Sequence, residues 1–283
     1  MLLSGNPQPG VMTVVLAGVG ADQSNVGRNL PLYDDGTFEY IPIPEKTPET
    51  DESETFGTWP LRNGGVAADL LSKIRPAPGR EEEWVTDPDR IADWPLHRDP
   101  NFDALTYGEH RGSADRRQGY VRLLEALDPG DVVGFYAGLA PPGGHPHRYL
   151  IGYFTVESVV TTAGRSPAEK RDLLADHPEN AHAKRSHEGT LYYDRVGAED
   201  KYVAIVAGRE PGGLFDRDPI RLSERYVKPG NERVGYYLRE EIADEWHLRA
   251  PDADPVALTR KPAMCFDLSG GAFRDRVGIP GTR

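Results

Sequence analysis

The sequence predicts an α+β fold: a mixed or antiparallel β core with flanking helices and a long irregular insertion. Three observations carry that prediction. Runs rich in β-branched and aromatic residues fall at Asp131–Ala137 and Tyr149–Val160. Apolar residues at helical spacing are confined to short stretches between such runs. Residues 46–106 are rich in proline and acid and sustain neither period.

Taken in order, Met12-Thr-Val-Val-Leu-Ala-Gly18 reads as a first buried strand, which leaves residues 1–11 as a loose extension. Gly18 to Asn25 is a small, polar turn region. Asp34-Asp-Gly36 is a turn signal leading into Phe38-Glu-Tyr-Ile-Pro-Ile-Pro44. The two prolines each remove a ladder donor, so this segment is expected as an edge strand or extended wall. Within the insertion, which carries Trp59, Trp84 and Trp94, Ala67 to Ile74 predicts a short helix. Gly119 to Leu127 predicts another, with Val121, Leu124 and Leu127 along one side and Asp128-Pro-Gly130 as its stop. The two clear strands follow, joined by the loop at Pro141-Pro-Gly-Gly144. Ser166 to Ala175 is expected as a helix with Ser166 as N-cap, Pro167 at its first position and Glu169 at its third. Tyr202 to Val206 reads as a strand and Glu240 to Leu248 as a helix. No repeat or long linker forces a boundary, so residues 1–283 are expected as one globular domain.

Composition narrows the function classes. Thirty-three Lys and Arg stand against 45 Asp and Glu, a formal charge of −12, which argues against a generally basic nucleic-acid coat protein. No apolar run approaches the roughly 20 residues of a membrane span. Only 7 of the basic residues are Lys, and Asp supplies 24 of the acids; such a chain suits high-salt cytoplasm, where screening reduces repulsion between carboxylates. The same bias arises from a GC-rich genome. The single Cys265 forms no internal disulfide, in keeping with a reducing, cytoplasmic setting. Val11 to Gly20 is apolar, but no basic residue precedes it, unlike a secretory signal.

Standard motifs are absent. There is no Walker A sequence, no Cys-x-x-Cys and no Gly-x-Ser-x-Gly elbow, and Gly18-x-Gly20 lacks a third glycine. His177, His182 and His187 recur at steps of five, which suits neither helical nor strand spacing for metal ligands. No metal ligands are assigned, and the cofactor is left open. His145, His147, His177 and His187 are expected as solvated loop histidines.

Two resemblances organise what remains. The hairpin from Leu127-Asp-Pro-Gly-Asp-Val-Val-Gly-Phe-Tyr-Ala137 to Tyr149-Leu-Ile-Gly-Tyr-Phe-Thr-Val-Glu157 resembles the central hairpin of PUA-like domains, including the EVE and ASCH groups. That likeness implies a compact β-barrel with flanking helices, in a group several of whose members bind modified nucleobases or RNA. A longer match begins at Val14-Val-Leu-Ala-Gly-Val-Gly-Ala-Asp22 and runs through Asp35-Gly-Thr-Phe-Glu-Tyr-Ile-Pro-Ile-Pro-Glu45 and Thr106-Tyr-Gly-Glu109. It continues, in order, to Gly130-Asp-Val-Val-Gly-Phe-Tyr-Ala-Gly-Leu139, Tyr149-Leu-Ile-Gly-Tyr-Phe154 and Asn180-Ala-His-Ala-Lys-Arg185. This series is similar to the nucleotide modification associated domain 3 family, which implies a role in making modified bases, with a nucleotide or nucleic acid as partner.

The matching positions supply the candidate site. Asp22, Glu39, Glu45 and His182 are the candidate catalytic groups, and Tyr40, Tyr107, Glu109, Asn180 and Arg185 the candidate substrate contacts. Asp22 ends a strand in a Gly-rich turn, where it can act as a base or simply cap the turn. Glu39 and Tyr40 alternate faces if extended, so one is expected to meet a cleft; Glu45, freed after Pro44, can point into it. Tyr107 and Glu109 precede Arg111, Arg116, Arg117 and Arg122, a phosphate contact or a helix surface paired with Asp115 and Glu125. In the last group the Asn180 amide can read a base edge, His182 can shuttle protons, and Arg185 can fork onto phosphate; the alternative is a loop held by its own hydrogen bonds. Tyr136, Tyr149 and Tyr153 are candidate stacking surfaces. Catalysis on a base, binding of a modified base or nucleotide without chemistry, and a scaffold role in a modification or defence complex all remain open at the level of sequence.

Overall fold

The structure, a computed structural model, describes residues 13–46, 48–76, 84–111, 118–187, 190–191, 202–230, 232–249, 256–258 and 264–280. The expected extension at 1–11 lies outside them, as do Arg116, Arg117 and Asp115.

The chain is α+β, built on a large mixed sheet. Its strands lie in the spatial order Cys265–Phe266, Val14–Gly18, Val132–Ala140, His147–Thr161, Tyr202–Leu214 and Thr106–Arg111. Leu30–Pro31 adds to the end of Val132–Ala140, and Ile220–Arg221 to the start of His147–Thr161. Val14–Gly18 is buried because it has a neighbour on each side, antiparallel to Cys265–Phe266 and parallel to Val132–Ala140. A continuous apolar run is what such a central strand requires. Asp131 fixes its entry: one carboxylate oxygen accepts from Thr13 N at 2.7 Å and the other from Asp128 N at 2.9 Å.

The hairpin predicted at Asp131–Val160 is present, with strands Val132–Ala140 and His147–Thr161, and it forms the middle of the sheet. The barrel expected from it does not form. The two edges of the sheet are Cys265–Phe266 and Thr106–Arg111, and among the described residues no pairing joins them. The reason is the opening strand. It inserts parallel to Val132–Ala140, and a parallel neighbour demands a long crossover rather than a tight return; residues 19–131 make that crossover. A barrel needs every strand paired on both sides, and this sheet stays open.

The helix expected over Gly119–Leu127 spans Gln118–Glu125 and buries Val121 and Leu124 as the spacing predicts, with Tyr120 buried beside them and Leu127 buried just past its end. The Tyr120 hydroxyl donates to the Tyr107 hydroxyl at 3.0 Å. Helix Pro167–Ala175 has the predicted Ser166 cap: Glu169 N donates to its hydroxyl, and Ser166 N donates back to the Glu169 carboxylate. The helix expected over Ala67–Ile74 covers only Ala67–Leu70, because Leu71 turns extended and Ile74 pairs with Val85. The segment read as irregular also contains helix Pro88–Ala92 and strand Leu96–His97, which pairs with Ile43–Pro44. At the core, Phe102, Phe135, Phe154 and Tyr107 meet edge to face. No helix among the described residues is long and apolar enough to cross a membrane.

Candidate functional site

Four segments meet at the edge of the sheet formed by Thr106–Arg111. The first is Ile43–Glu45, whose register with Leu96–His97 sets Ile43 opposite His97 and Pro44 opposite Leu96. The second is Trp94–Asp99, tied to the first by the Trp94 indole N–H donating to Glu45 O at 2.9 Å. The third is the edge strand itself. The fourth, Asn180–Arg185, is fastened to that strand by its own side chains: the Asn180 amide donates to Thr106 Oγ1 at 3.0 Å, and its carbonyl accepts from His182 N at 3.0 Å. Residues 50–54 clasp the same loop from outside, with Asp51 N on Lys184 O at 2.9 Å and Glu52 paired with Lys184 Nζ at 3.0 Å.

Inside this frame lies a buried polar cluster. Glu45 Oε2 is 2.7 Å from His97 Nδ1, and its other oxygen accepts from Arg185 Nε at 2.9 Å. The Arg185 guanidinium also reaches His97, with Nη2 at 3.3 Å from Nδ1, and His182, with Nη1 at 3.4 Å from Nδ1. Asp99 Oδ1 accepts from Gly108 N at 2.7 Å, while Oδ2 lies 3.4 Å from His182 Nε2 and 3.9 Å from His97 Nε2. His182 Nε2 also faces Gly108 O at 3.1 Å. The two imidazoles meet edge to face, their centroids 4.9 Å apart. Gly108 is required by this approach: a Cβ there would stand 2.7 Å from His182 Cδ2 and 2.9 Å from Asn180 Oδ1.

The electrostatics follow from burial and neighbours. Burial works to raise the Glu45 carboxyl, but His97 and Arg185 outweigh it and hold the group well below the usual carboxylate range. Burial, then Arg185 and His97, push His182 well below the ordinary imidazole value, so its ring stays neutral. Tyr40 is pushed well above the ordinary phenol value, first by burial and then by the charge of Asp99. Of the described residues, His97, Asp99 and His182 each offer one donor atom within 4.8 Å of the others, a spacing suited to a cation.

Of the residues singled out from sequence, Glu45, His182, Arg185 and Asn180 come together here. Asn180 is occupied in holding the loop, so its amide positions His182. Tyr107 and Glu109 lie on the same strand, but Gly108 is the residue facing His182, and alternation turns its neighbours to the opposite side. Tyr107 there packs on Phe135. Glu39 and Tyr40 are both buried, so the expected division between a cleft face and an outer face does not occur. Glu39 accepts from the Tyr33 hydroxyl at 3.0 Å and from Arg62 N at 3.1 Å, whereas Tyr40 packs on Trp59 and Phe102 and its hydroxyl donates to Pro100 O. Asp22 forms the turn anticipated as its alternative role, accepting from Ser24 N at 2.8 Å, and faces Arg148 at 3.7 Å. The candidate stacking surfaces Tyr136, Tyr149 and Tyr153 are core residues. His145 is exposed, while His147 and His177 are partly buried.

Two members of the cluster, His97 and Asp99, escaped the sequence reading, because they sit in the segment read as irregular. Strand alternation would not have found them, because the chain turns between the two, with Asp99 N donating to His97 O at 2.8 Å.

A model of the family described as nucleotide modification associated domain 3 matches residues 13–273. No curated protein and no solved structure matches the chain.

Proposed function

The chain belongs to the nucleotide modification associated domain 3 family, and from that premise we propose that it modifies a base of nucleic acid, with the chemistry at Glu45, His97, Asp99, His182 and Arg185. One observation carries the reading: residues from three distant stretches converge, buried, on a shared hydrogen-bonded network. Burying such a network without a functional return is unfavourable, since desolvation of each ion opposes its Coulombic gain. Groups with strongly shifted protonation cluster at working sites for the same reason. In this site Glu45 orients His97 through Nδ1, while neutral His182 and the fixed charge of Arg185 stabilise charge that develops beside it.

A polymeric partner is supported by the two-stranded ribbon Ser223–Val227 and Val234–Leu238. It carries Arg225, Lys228 and Arg233, interspersed with Glu224 and Glu232, beside exposed Tyr226, Val227 and Val234, a mixed and slightly basic surface on a chain of charge −12. A ribbon of this kind suits a nucleic-acid groove. The acid surplus and low lysine content support a high-salt cytoplasm as the setting. A binding module without chemistry draws less support, because Tyr136, Tyr149 and Tyr153 are core residues rather than pocket walls.

The test is the nucleoside composition of host DNA and RNA, read by mass spectrometry after expression of the wild-type chain. An altered nucleoside is expected with the wild type and with Glu241→Gln, an exposed change on helix Glu240–Glu245 outside the cluster, and is expected to vanish with His97→Ala and His182→Ala. Identical nucleosides with and without the wild-type chain would overturn the reading.

A further inference from the structure

We propose that His97, Asp99 and His182 bind one divalent transition-metal ion. The proposal deepens the base-modification reading and rests on it for the ion's purpose, though binding itself is measurable without any substrate.

The donor geometry comes first. Asp99 Oδ2 stands 3.4 Å from His182 Nε2 and 3.9 Å from His97 Nε2, and one donor atom from each residue lies within 4.8 Å of the others. A tetrahedral zinc held at about 2.0–2.2 Å spaces its donors roughly 3.4 Å apart. Side-chain adjustments of a fraction of an ångström to about 1 Å close the set around an ion. His97 and Asp99 approach from one tight turn, closed by Asp99 N donating to His97 O at 2.8 Å, and His182 approaches from the Asn180–Arg185 loop.

Independent of those distances, the surrounding contacts are of the kind that prepares ligands. With the ring proton of His97 on Nδ1, Glu45 Oε2 accepts it in a hydrogen bond at 2.7 Å, and Nε2 carries the lone pair, 3.9 Å from Asp99 Oδ2 and 3.5 Å from Arg185 Nη2, which gives way to an ion. Gly108 N holds Asp99 Oδ1 at 2.7 Å, and Oδ2 lies 3.4 Å from His182 Nε2 and 3.9 Å from His97 Nε2. A carboxylate behind a ligating imidazole and a hydrogen bond behind a ligating carboxylate are the usual supports of a metal centre. His182 requires one change. With Arg185 Nη1 donating to Nδ1, the ring proton sits on Nε2 and faces Gly108 O. Taking the cation moves that proton, by exchange with solvent, to Nδ1, and Nη1 gives way while Arg185 Nε stays on Glu45. The imidazole is neutral before and after, so the step is balanced.

Ligand chemistry identifies the class of ion. Two imidazoles and one carboxylate favour zinc, iron(II), cobalt or nickel over magnesium and calcium, which prefer oxygen donors throughout. Three protein ligands leave at least one position for water or a substrate atom.

The test titrates chelator-treated, full-length protein with Co2+ and follows the visible ligand-field absorption, with Zn2+ and Mg2+ as competitors. One equivalent of Co2+ per chain is expected, displaced by Zn2+ and unaffected by excess Mg2+. Asp99→Asn and His97→Ala are expected to abolish the spectrum, Glu45→Gln to weaken binding by about 10–100-fold, and Glu241→Gln to leave it unchanged. Circular dichroism checks that each variant is folded. The wild-type titration decides even where a variant fails to fold: no spectrum from folded wild-type protein, or equal competition by Mg2+, overturns the proposal. Cobalt binding with no altered nucleoside in the host would keep the metal site and sink the base-modification reading; the reverse pair of results would do the opposite.

Discussion

Glu45 bonds to two side chains that lie 52 and 140 residues further along the chain, so this one carboxylate fastens three segments. Replacing it by alanine strands the Arg185 charge in a buried place, and removal of one partner from a buried pair costs about 3–5 kcal/mol. Urea unfolding of Glu45→Ala is expected to show a loss of that order, and a change under about 1 kcal/mol would mean that water reaches Arg185. Cys265 allows a pH prediction at the same scale. Burial, against a smaller opposing pull from Arg249, pushes its thiol from 9.0 up to about 11. The unfolded chain therefore ionises first, and the contribution is intact below pH 9 and lost as pH rises toward 11, by at most about 1.4 kcal/mol per unit. At pH 8 iodoacetamide is expected to spare Cys265 in the folded protein and label it in urea. Residues of this kind were unevenly legible. Glu45, His182 and Arg185 stood within distinctive strings of sequence, whereas His97 and Asp99 stood among prolines and acids with no period around them. What places them is pairing with Ile43–Pro44, a contact across 50-odd residues that local pattern does not encode.

At the scale of elements, the edge strand Thr106–Arg111 and the Asn180–Arg185 loop act as one unit because Gly108 leaves room for the loop. Gly108→Ala puts a methyl 2.7 Å from His182 Cδ2 and 2.9 Å from Asn180 Oδ1. Overpacking of this sort costs about 1–3 kcal/mol. The variant is expected to keep its far-UV circular dichroism, lose that much stability in urea, and lose cobalt affinity more steeply than stability, since only the loop must move. Unchanged cobalt affinity would separate the loop from the metal centre. Elements with a strong local signature were read correctly: the capped Pro167–Ala175 helix and the hairpin strands carry their instructions within 10–15 residues. Of the helix expected over Ala67–Ile74 only Ala67–Leu70 forms, because Ile74 bridges to Val85, a tertiary contact that outweighs helical spacing in so short a stretch.

Across the whole molecule, the topology was the least legible feature. The same hairpin serves a barrel or an open sheet, and the choice lies with Val14–Gly18, whose sequence announces burial but not its parallel neighbour. Charge, by contrast, is read directly from composition and makes opposite demands on stability and binding. With a net charge of −12, carboxylate repulsion acts over a screening length of about 10 Å near 0.1 M salt and about 3 Å near 1 M. Raising KCl over that range is expected to raise the melting temperature, with equal osmolality of sucrose as the uncharged control. Nucleic-acid binding through Arg225, Lys228 and Arg233 should move the other way. Three phosphate contacts give a logarithmic slope of about −2.7, a roughly 500-fold loss of affinity across the same tenfold change. Replacing Arg225 and Arg233 by glutamate is expected to flatten that slope while leaving the melting temperature within about 2 °C, since both side chains are exposed. A slope that stays steep in the double variant would move the polyanion contact away from the ribbon. A melting temperature that falls with KCl would show that this acidic surface is held by ion pairs rather than strained by repulsion.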